Sequence, residues 1–287
     1  MKMFDQAEHL RKKFSNDIKD TKTIAIISGK GGVGKSNTAL NFSIELSKRG
    51  KKVLLFDLDV GMGNIDILLG KDSKYSIVHL FNEYRSIHDM IELGPKGLSY
   101  ISGGTSLDHL LDLDEDKLNH FFEQYEYLVG KYDYIIFDLG ASASYSIISF
   151  SLAADECFVI TTPEPTSITD AYSMIKHIVN KQHDKEISVL MNRCNSTKEG
   201  RQTLRRFTEV IERFLDKKVR SLGMLPFDRT VTTAVMRQTP YVLLDKNAPV
   251  SKAMAEIVSN YLEQTNEINV LKRESFVHKL KRLITVR

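Results

Sequence analysis

Ile24-Ala25-Ile26-Ile27-Ser28-Gly29-Lys30-Gly31-Gly32-Val33-Gly34-Lys35-Ser36-Asn37 is the stretch on which the fold turns. It opens with a short apolar run rich in β-branched residues, the pattern of a parallel strand buried on both faces. A Gly-rich turn follows and matches G-x-x-x-x-G-K-[ST]. From Lys35 to Arg49 the residues Leu40, Ile44 and Leu46 fall at helical spacing, and Gly50 stops the run. With a strand entering and a helix leaving, the glycines let backbone N–H groups curl around phosphate oxygens. The helix N-terminus adds partial positive charge. Lys35 is then placed to reach β- and γ-phosphates, and the Ser36 hydroxyl to ligate Mg²⁺. Gly29, Lys30, Gly31, Gly32, Val33, Gly34, Lys35, Ser36 and Asn37 are the candidate phosphate-binding residues.

Working outward, the same alternation recurs. Val53–Asp57, Leu98–Ile101, Tyr134–Asp138, Cys157–Thr161, Ile187–Met191 and Val219–Leu225 read as strands. Helices fit about 114–129, 143–153, 166–181, 198–214 and 250–263. Strands alternating with helices predict an α/β doubly wound, mostly parallel sheet with helices on both faces. This domain spans 23–265. Segments 1–22 and 266–287 fall outside the alternation and read as appended helices.

Composition narrows the class. The 287 residues are 42% hydrophobic and 27% charged, ordinary for a globular protein. Two cysteines without a CxxC pairing, Cys157 and Cys194, give neither a disulfide framework nor a zinc site. The polar start lacks the apolar core of a signal peptide, and no stretch reaches the ~18 apolar residues of a membrane span. A cytoplasmic protein is expected, one that can still lie on a membrane. Charge is uneven: Lys272, Arg273, Lys279, Lys281, Arg282 and Arg287 face a single carboxylate, Glu274, within the last sixteen residues. That +5 tail leaves the body near −2 of the net +3. Such a chain fits one local anionic partner better than a general polyanion, and no specific nucleic acid is expected.

Carboxylates fall where phosphate chemistry uses them. Asp57 and Asp59 end the second strand, and ligands of open α/β sheets bind at the carboxyl ends of strands. A carboxylate there can orient water or hold a hydrated metal ion. Tyr134-Ile135-Ile136-Phe137-Asp138 is an apolar strand ending in Asp, which reads as a Walker B segment with Asp138 near Mg²⁺. Ser36, Asp57 and Asp138 are the candidate metal residues.

The second lysine of the turn, Lys30, carries a resemblance. Lys-Gly-Gly-Val-Gly-Lys-Ser resembles the deviant Walker A motif of the MinD/ParA ATPase class, and the likeness covers roughly 23–265. It implies bound Mg-ATP, slow hydrolysis and an ATP-bound homodimer in which Lys30 reaches the partner's nucleotide. It assigns Asp59 to the attacking water and makes Asp57 the supporting acid, so that Asp59, Lys30 and Lys35 are the catalytic set. It places Asn192 on adenine, with Pro226, Phe227 and Asp228 flanking the base and Glu164 on the ribose across the dimer. An amide suits the adenine edge, and no N-K-x-D guanine signature is present. Leu139-Gly140-Ala141-Ser142 resembles switch II, but Ser142 stands where the family has glycine.

Both ends refine the resemblance. Phe276, Val277, Leu280, Leu283 and Ile284 form one apolar stripe flanked by cations, the pattern of an interfacial membrane helix of MinD type. Such a helix can also dock on the body, and both hold if dimerisation releases it. Asp5-Gln6-Ala7-Glu8-His9-Leu10-Arg11 resembles the N-terminal motif of the FlhG family of flagellar regulators. That implies control of flagellar number and placement through the GTPase FlhF, with Asp5, Gln6, Ala7, Leu10 and Arg11 as partner-binding residues. Switch-complex proteins of the flagellum and anionic lipids are further implied partners. The alternatives are a DNA-associated partition or gene-regulating ATPase, a MinD-type division-site regulator, and a P-loop enzyme phosphorylating a small molecule.

Overall fold

The computed structural model describes residues 21–59, 64–103, 115–266 and 274–285. Among these residues eight strands form one sheet: β1 (Lys22–Ile27), β2 (Val53–Leu58), β3 (Ile91–Leu93), β4 (Ser99–Ile101), β5 (Tyr134–Leu139), β6 (Glu156–Thr161), β7 (Glu186–Cys194) and β8 (Arg220–Pro226). Their order is β3-β4-β2-β5-β1-β6-β7-β8. β3 runs antiparallel to β4, and the remaining pairs are parallel. The doubly wound sheet predicted from the alternation is therefore observed. Every residue of β1, β2, β5 and β6 is buried, which is why these strands read as continuous apolar runs rather than as alternating ones.

The helices are α1 (Lys35–Lys48), α2 (Ile65–Leu69), α3 (Ile77–Asn82), α4 (Glu115–Glu126), α5 (Tyr145–Ala153), α6 (Pro165–Lys181), α7 (Thr197–Leu215), α8 (Arg229–Met236), α9 (Tyr241–Leu244), α10 (Pro249–Asn266) and α11 (Phe276–Thr285). Two cores result, one on each sheet face. Ala25 and Ile27 of β1 point into the core built with α3 to α7 and α11. Ile24 and Ile26 point into the core built with α1, α2 and α8 to α10. The period of two along a strand distributes its side chains to both layers. Each fully buried aliphatic side chain contributes on the order of 1.5–3 kcal/mol, so the central strands anchor the molecule.

At the ends one boundary shifts and one open alternative is resolved. Lys22 already belongs to β1, and Thr21 fastens the chain there by donating to the Tyr132 carbonyl (2.8 Å) and accepting from the Gly130 N–H (2.8 Å). The motif at Asp5, Gln6, Ala7, Leu10 and Arg11 lies outside the described residues. In the tail, the stripe read as membrane-facing is docked on the body. Phe276, Val277 and Leu280 are buried, and Leu283 and Ile284 pack partly against the same core. Lys279 pairs with Asp155 at 2.9 Å, Lys281 lies over the Phe122 ring, and the Tyr145 hydroxyl donates to the Leu283 carbonyl.

A candidate phosphate and base site at the carboxyl rim

The carboxyl ends of β1, β2 and β5 converge because the strands are parallel neighbours, and register puts Asp57 of β2 beside Asp138 of β5. The turn after β1 fits this rim only with glycine at two points. A Cβ on Gly29 would lie 2.2 Å from the Asp170 backbone of α6. Gly34 has φ +91°, and its Cβ would meet the Asn192 amide nitrogen at 2.4 Å. Gly34 caps α1, whose first residue is Lys35.

Lys35 sits at the centre of the site. Its Nζ lies 2.7 Å from Asp138 Oδ1, 3.1 Å from Asp59 Oδ2 and 3.4 Å from Ser36 Oγ. Burial opposes its charge, but Asp138 and Asp59 outweigh that and hold its pKa above the ordinary lysine value. Asp138 is wholly buried; burial pushes its carboxyl up against the pull of Lys35. Its second oxygen, Oδ2, is buried and accepts no hydrogen bond. Such an orphaned acceptor fits a hydrated cation, so Ser36 and Asp138 have the donor set for Mg²⁺.

Asp57 is held by backbone donors. Its Oδ2 accepts the N–H groups of Asn64 (2.7 Å) and Ile65 (3.0 Å), and its Oδ1 that of Asp59 (3.3 Å). It therefore secures the start of α2. Burial, reinforced by the charge of Asp138, pushes its carboxyl up to about 7.

A cavity of about 420 Å³ adjoins the turn. It is lined by Gly34, Asn37, Asn192, Pro226, Phe227 and Asp228, so the structure brings the sequence-read base residues together. Asn192 donates from Nδ2 to the Val33 carbonyl (2.8 Å) and accepts the Arg193 N–H (2.9 Å), which leaves the amide with one further donor and one acceptor. Asp228 caps α8 through Thr230 N (2.9 Å) and also accepts Val250 N at the head of α10 (3.2 Å). Burial raises its carboxyl, but these N–H donors outweigh it and hold the pKa below the ordinary range. It ties two helix starts together at the wall of the cavity. Val235, Met236 and Tyr241 also line the cavity and escaped the sequence reading. The signal was present: Asp228 before Arg229-Thr230 is an N-cap pattern that would have placed α8.

Lys30 and Glu164, both read as acting across a dimer, meet within one chain. Lys30 Nζ lies 3.3 Å from Glu164 Oε2 and 3.0 Å from Thr166 Oγ1. Their side chains are 40% and 61% exposed.

Fold and site together define a P-loop nucleotide-binding protein with a second lysine in the phosphate turn. The family model ParA: NUBPL iron-transfer P-loop NTPase matches residues 19–262. Antiactivator FleN of Pseudomonas aeruginosa is 36% identical over 219 residues, 75% of this chain and 77% of that protein. Flagellum site-determining protein YlxH of Helicobacter pylori is 35% identical over 211 residues, 69% of this chain and 67% of that protein. Among solved structures, the MinC:MinD cell division complex of Aquifex aeolicus matches with a TM-score of 0.67 at 26% identity, covering 89% of this chain and all of the matched one. The chain belongs to the ParA/MinD family of P-loop NTPases, in the FlhG branch that holds FleN and YlxH.

Proposed function

We propose that this chain is an ATP-driven switch that dimerises, binds the inner face of the cell membrane through α11, and controls the number and placement of flagella. The observation that carries the reading is the cluster of Lys35, Asp138 and Asp59 behind Ser36, under a turn shaped for phosphate. In this reading Lys35 exchanges its carboxylate partners for β- and γ-phosphate oxygens. Asp59, half-freed, accepts a hydrogen bond from the attacking water and orients it in line with the γ-phosphorus. Ser36 Oγ and Asp138 Oδ2 would hold Mg²⁺, which when bound neutralises phosphate charge. Asn192, on the cavity wall, keeps one amide donor and one acceptor for the base, and an amide suits adenine. Lys30 would leave Glu164 to reach the nucleotide of a second copy.

Docking of α11 adds a regulatory half to this reading. ATP-driven pairing would release two tails together, and two weak anchors act as one stronger anchor on anionic lipid. Among the described residues no helix is long and apolar enough to cross a membrane; the association proposed here is that of an amphipathic helix lying on the surface. Similarity to FleN and to the flagellum site-determining protein YlxH supports a flagellar output; the resemblance at Asp5–Arg11 is what supports FlhF, and with it switch-complex proteins, as partners. Cosedimentation with anionic liposomes tests the switch: binding should need ATP, weaken in raised salt and vanish when 269–287 are deleted. Equal binding with ADP, or by the truncated chain, would refute it. The FlhF link is tested by a peptide of residues 1–22, which should raise the GTPase rate of FlhF; an unchanged rate removes that partner.

A further inference from the structure

Strand β7 is interrupted where it carries the amide of the base cavity. Met191 pairs with Met224 and Cys194 with Pro226, so Asn192 and Arg193 together stand opposite Leu225. Two residues against one make a β-bulge, a device that re-aims a side chain next to a site. At this bulge Arg193 holds a left-handed backbone, with φ +58°. Glycine adopts that conformation freely, whereas a residue with a Cβ is strained in it. The Arg193 side chain is exposed, so packing in a core does not account for the strain.

The bulge has a hydrogen-bonding consequence. The Arg193 N–H donates to Asn192 Oδ1 at 2.9 Å, while Asn192 Nδ2 donates to the Val33 carbonyl at 2.8 Å. Val33 belongs to the phosphate turn, and the next residue, Gly34, packs so closely that a Cβ there would lie 2.4 Å from Nδ2. One partner is only a donor and the other only an acceptor. Turning the amide about would therefore lose both bonds and set like against like. The remaining Nδ2 hydrogen and Oδ1 lone pair are thus fixed in their order on the cavity wall. That order decides which base fits. Adenine carries an exocyclic amine donor where guanine carries an exocyclic oxygen acceptor. Adenine takes the amide with its oxygen at that place, and guanine takes it with its nitrogen there.

We propose that Arg193 is the positioning residue for base choice: its left-handed backbone at the bulge holds the Asn192 amide in the orientation that accepts adenine and refuses guanine. The inference rests on the reading of Asn192 as the residue that meets the base. The backbone N–H of Arg193 does this, not the guanidinium, so what counts at this position is tolerance of positive φ.

The test uses the full chain. Displacement of a fluorescent ATP analogue by unlabelled, non-hydrolysable ATP and GTP analogues gives the ratio of the two affinities. The parent should prefer the adenine analogue. Arg193→Gly and Arg193→Asn accept the left-handed conformation and should keep that ratio. Arg193→Val and Arg193→Thr oppose it through their branched Cβ. They should lower the ratio by about tenfold, the scale of one misoriented bidentate contact. The position is exposed, so none of the four changes empties a core, and two branched variants guard against one that fails to fold. A branched variant that melts cooperatively and keeps the parent ratio overturns the proposal. Loss of the ratio in both Arg193→Gly and Arg193→Asn overturns it too, because the guanidinium would then hold the role. Asn192→Ala separates this inference from the reading beneath it. If that variant discriminates as the parent does, or the parent shows no preference, the reading of Asn192 falls and this inference with it. If Asn192→Ala loses discrimination while the branched variants keep theirs, this inference alone falls.

Discussion

At the residue scale the site is a set of charges that hold one another in place. Asp138 is fully buried, and Lys35 is its cationic partner at 2.7 Å. Removing one member of a buried pair leaves the other uncompensated. Lys35→Ala should thus lose ATP binding and also destabilise the free protein by about 3–5 kcal/mol. Asp138→Asn in the same chain should restore much of that stability without restoring ATP binding. Urea unfolding of both single variants and the double variant checks this, and additive losses would show that the pair is uncoupled. Asp57 makes a separate pH statement. Its folded pKa of about 7 lies above its ordinary 3.8, so the folded state holds the proton more tightly. Its stabilising share is complete below the ordinary value and is lost as pH rises through about 7. Asp57→Asn, which stays neutral, should therefore gain stability relative to the parent as pH rises from about 4 to above 7. Melting both proteins across that window tests the sign.

At the element scale α11 shows what one stripe of residues can conceal. Its five apolar positions have the spacing that suits a membrane surface, yet three of them are buried against α4 and α5. The period of a helix marks an apolar face but not what covers it, so residues 276–284 alone left docking and membrane contact both open. The long elements were legible for the converse reason: β1, β2 and β5 are covered on both sides and read as unbroken apolar runs. β3, α2 and α9 have three to five residues each, too few for any period to emerge. Asp57 and Asp228 were visible as carboxylates at strand ends; that their oxygens serve backbone N–H groups depends on folds of the chain that spacing does not encode. The latch offers a test that leaves the tail sequence untouched. Asp155 receives Lys279 at 2.9 Å and also the Thr23 N–H and hydroxyl. Asp155→Asn keeps a side-chain oxygen for Thr23 but removes the charge facing Lys279. A charge-assisted bond contributes about 1–2 kcal/mol here, so liposome binding without nucleotide should rise by roughly 5- to 30-fold. Unchanged binding would mean that Lys279 does not hold the tail.

At the scale of the whole molecule, several features around the nucleotide site suit a second copy of the chain. Lys30 and Glu164 are exposed and satisfy each other beside the phosphate turn. The base cavity is rimmed by Phe227, Val235 and Met236, exposed at 62%, 41% and 80%. Large exposed apolar side chains around a ligand cavity mark a surface that another surface covers. A second copy, meeting this one over the nucleotide, would bury that rim and give Lys30 a phosphate in place of Glu164. Pairing would then require triphosphate and would end on hydrolysis. Asp59→Ala separates these events. It removes the carboxylate expected to orient water and frees Lys35 of one competitor for phosphate, while leaving the turn and Asp138 intact. With ATP the variant should elute as a dimer in size-exclusion chromatography and release phosphate at least ~100-fold more slowly than the parent, the usual scale for loss of a positioned acid–base group. Adding Lys30→Ala should return it to a monomer that still binds ATP, if that lysine serves the partner's nucleotide and not its own. A monomeric Asp59→Ala protein at saturating ATP would refute the shared-site dimer. Normal phosphate release by that variant would remove Asp59 from the chemistry.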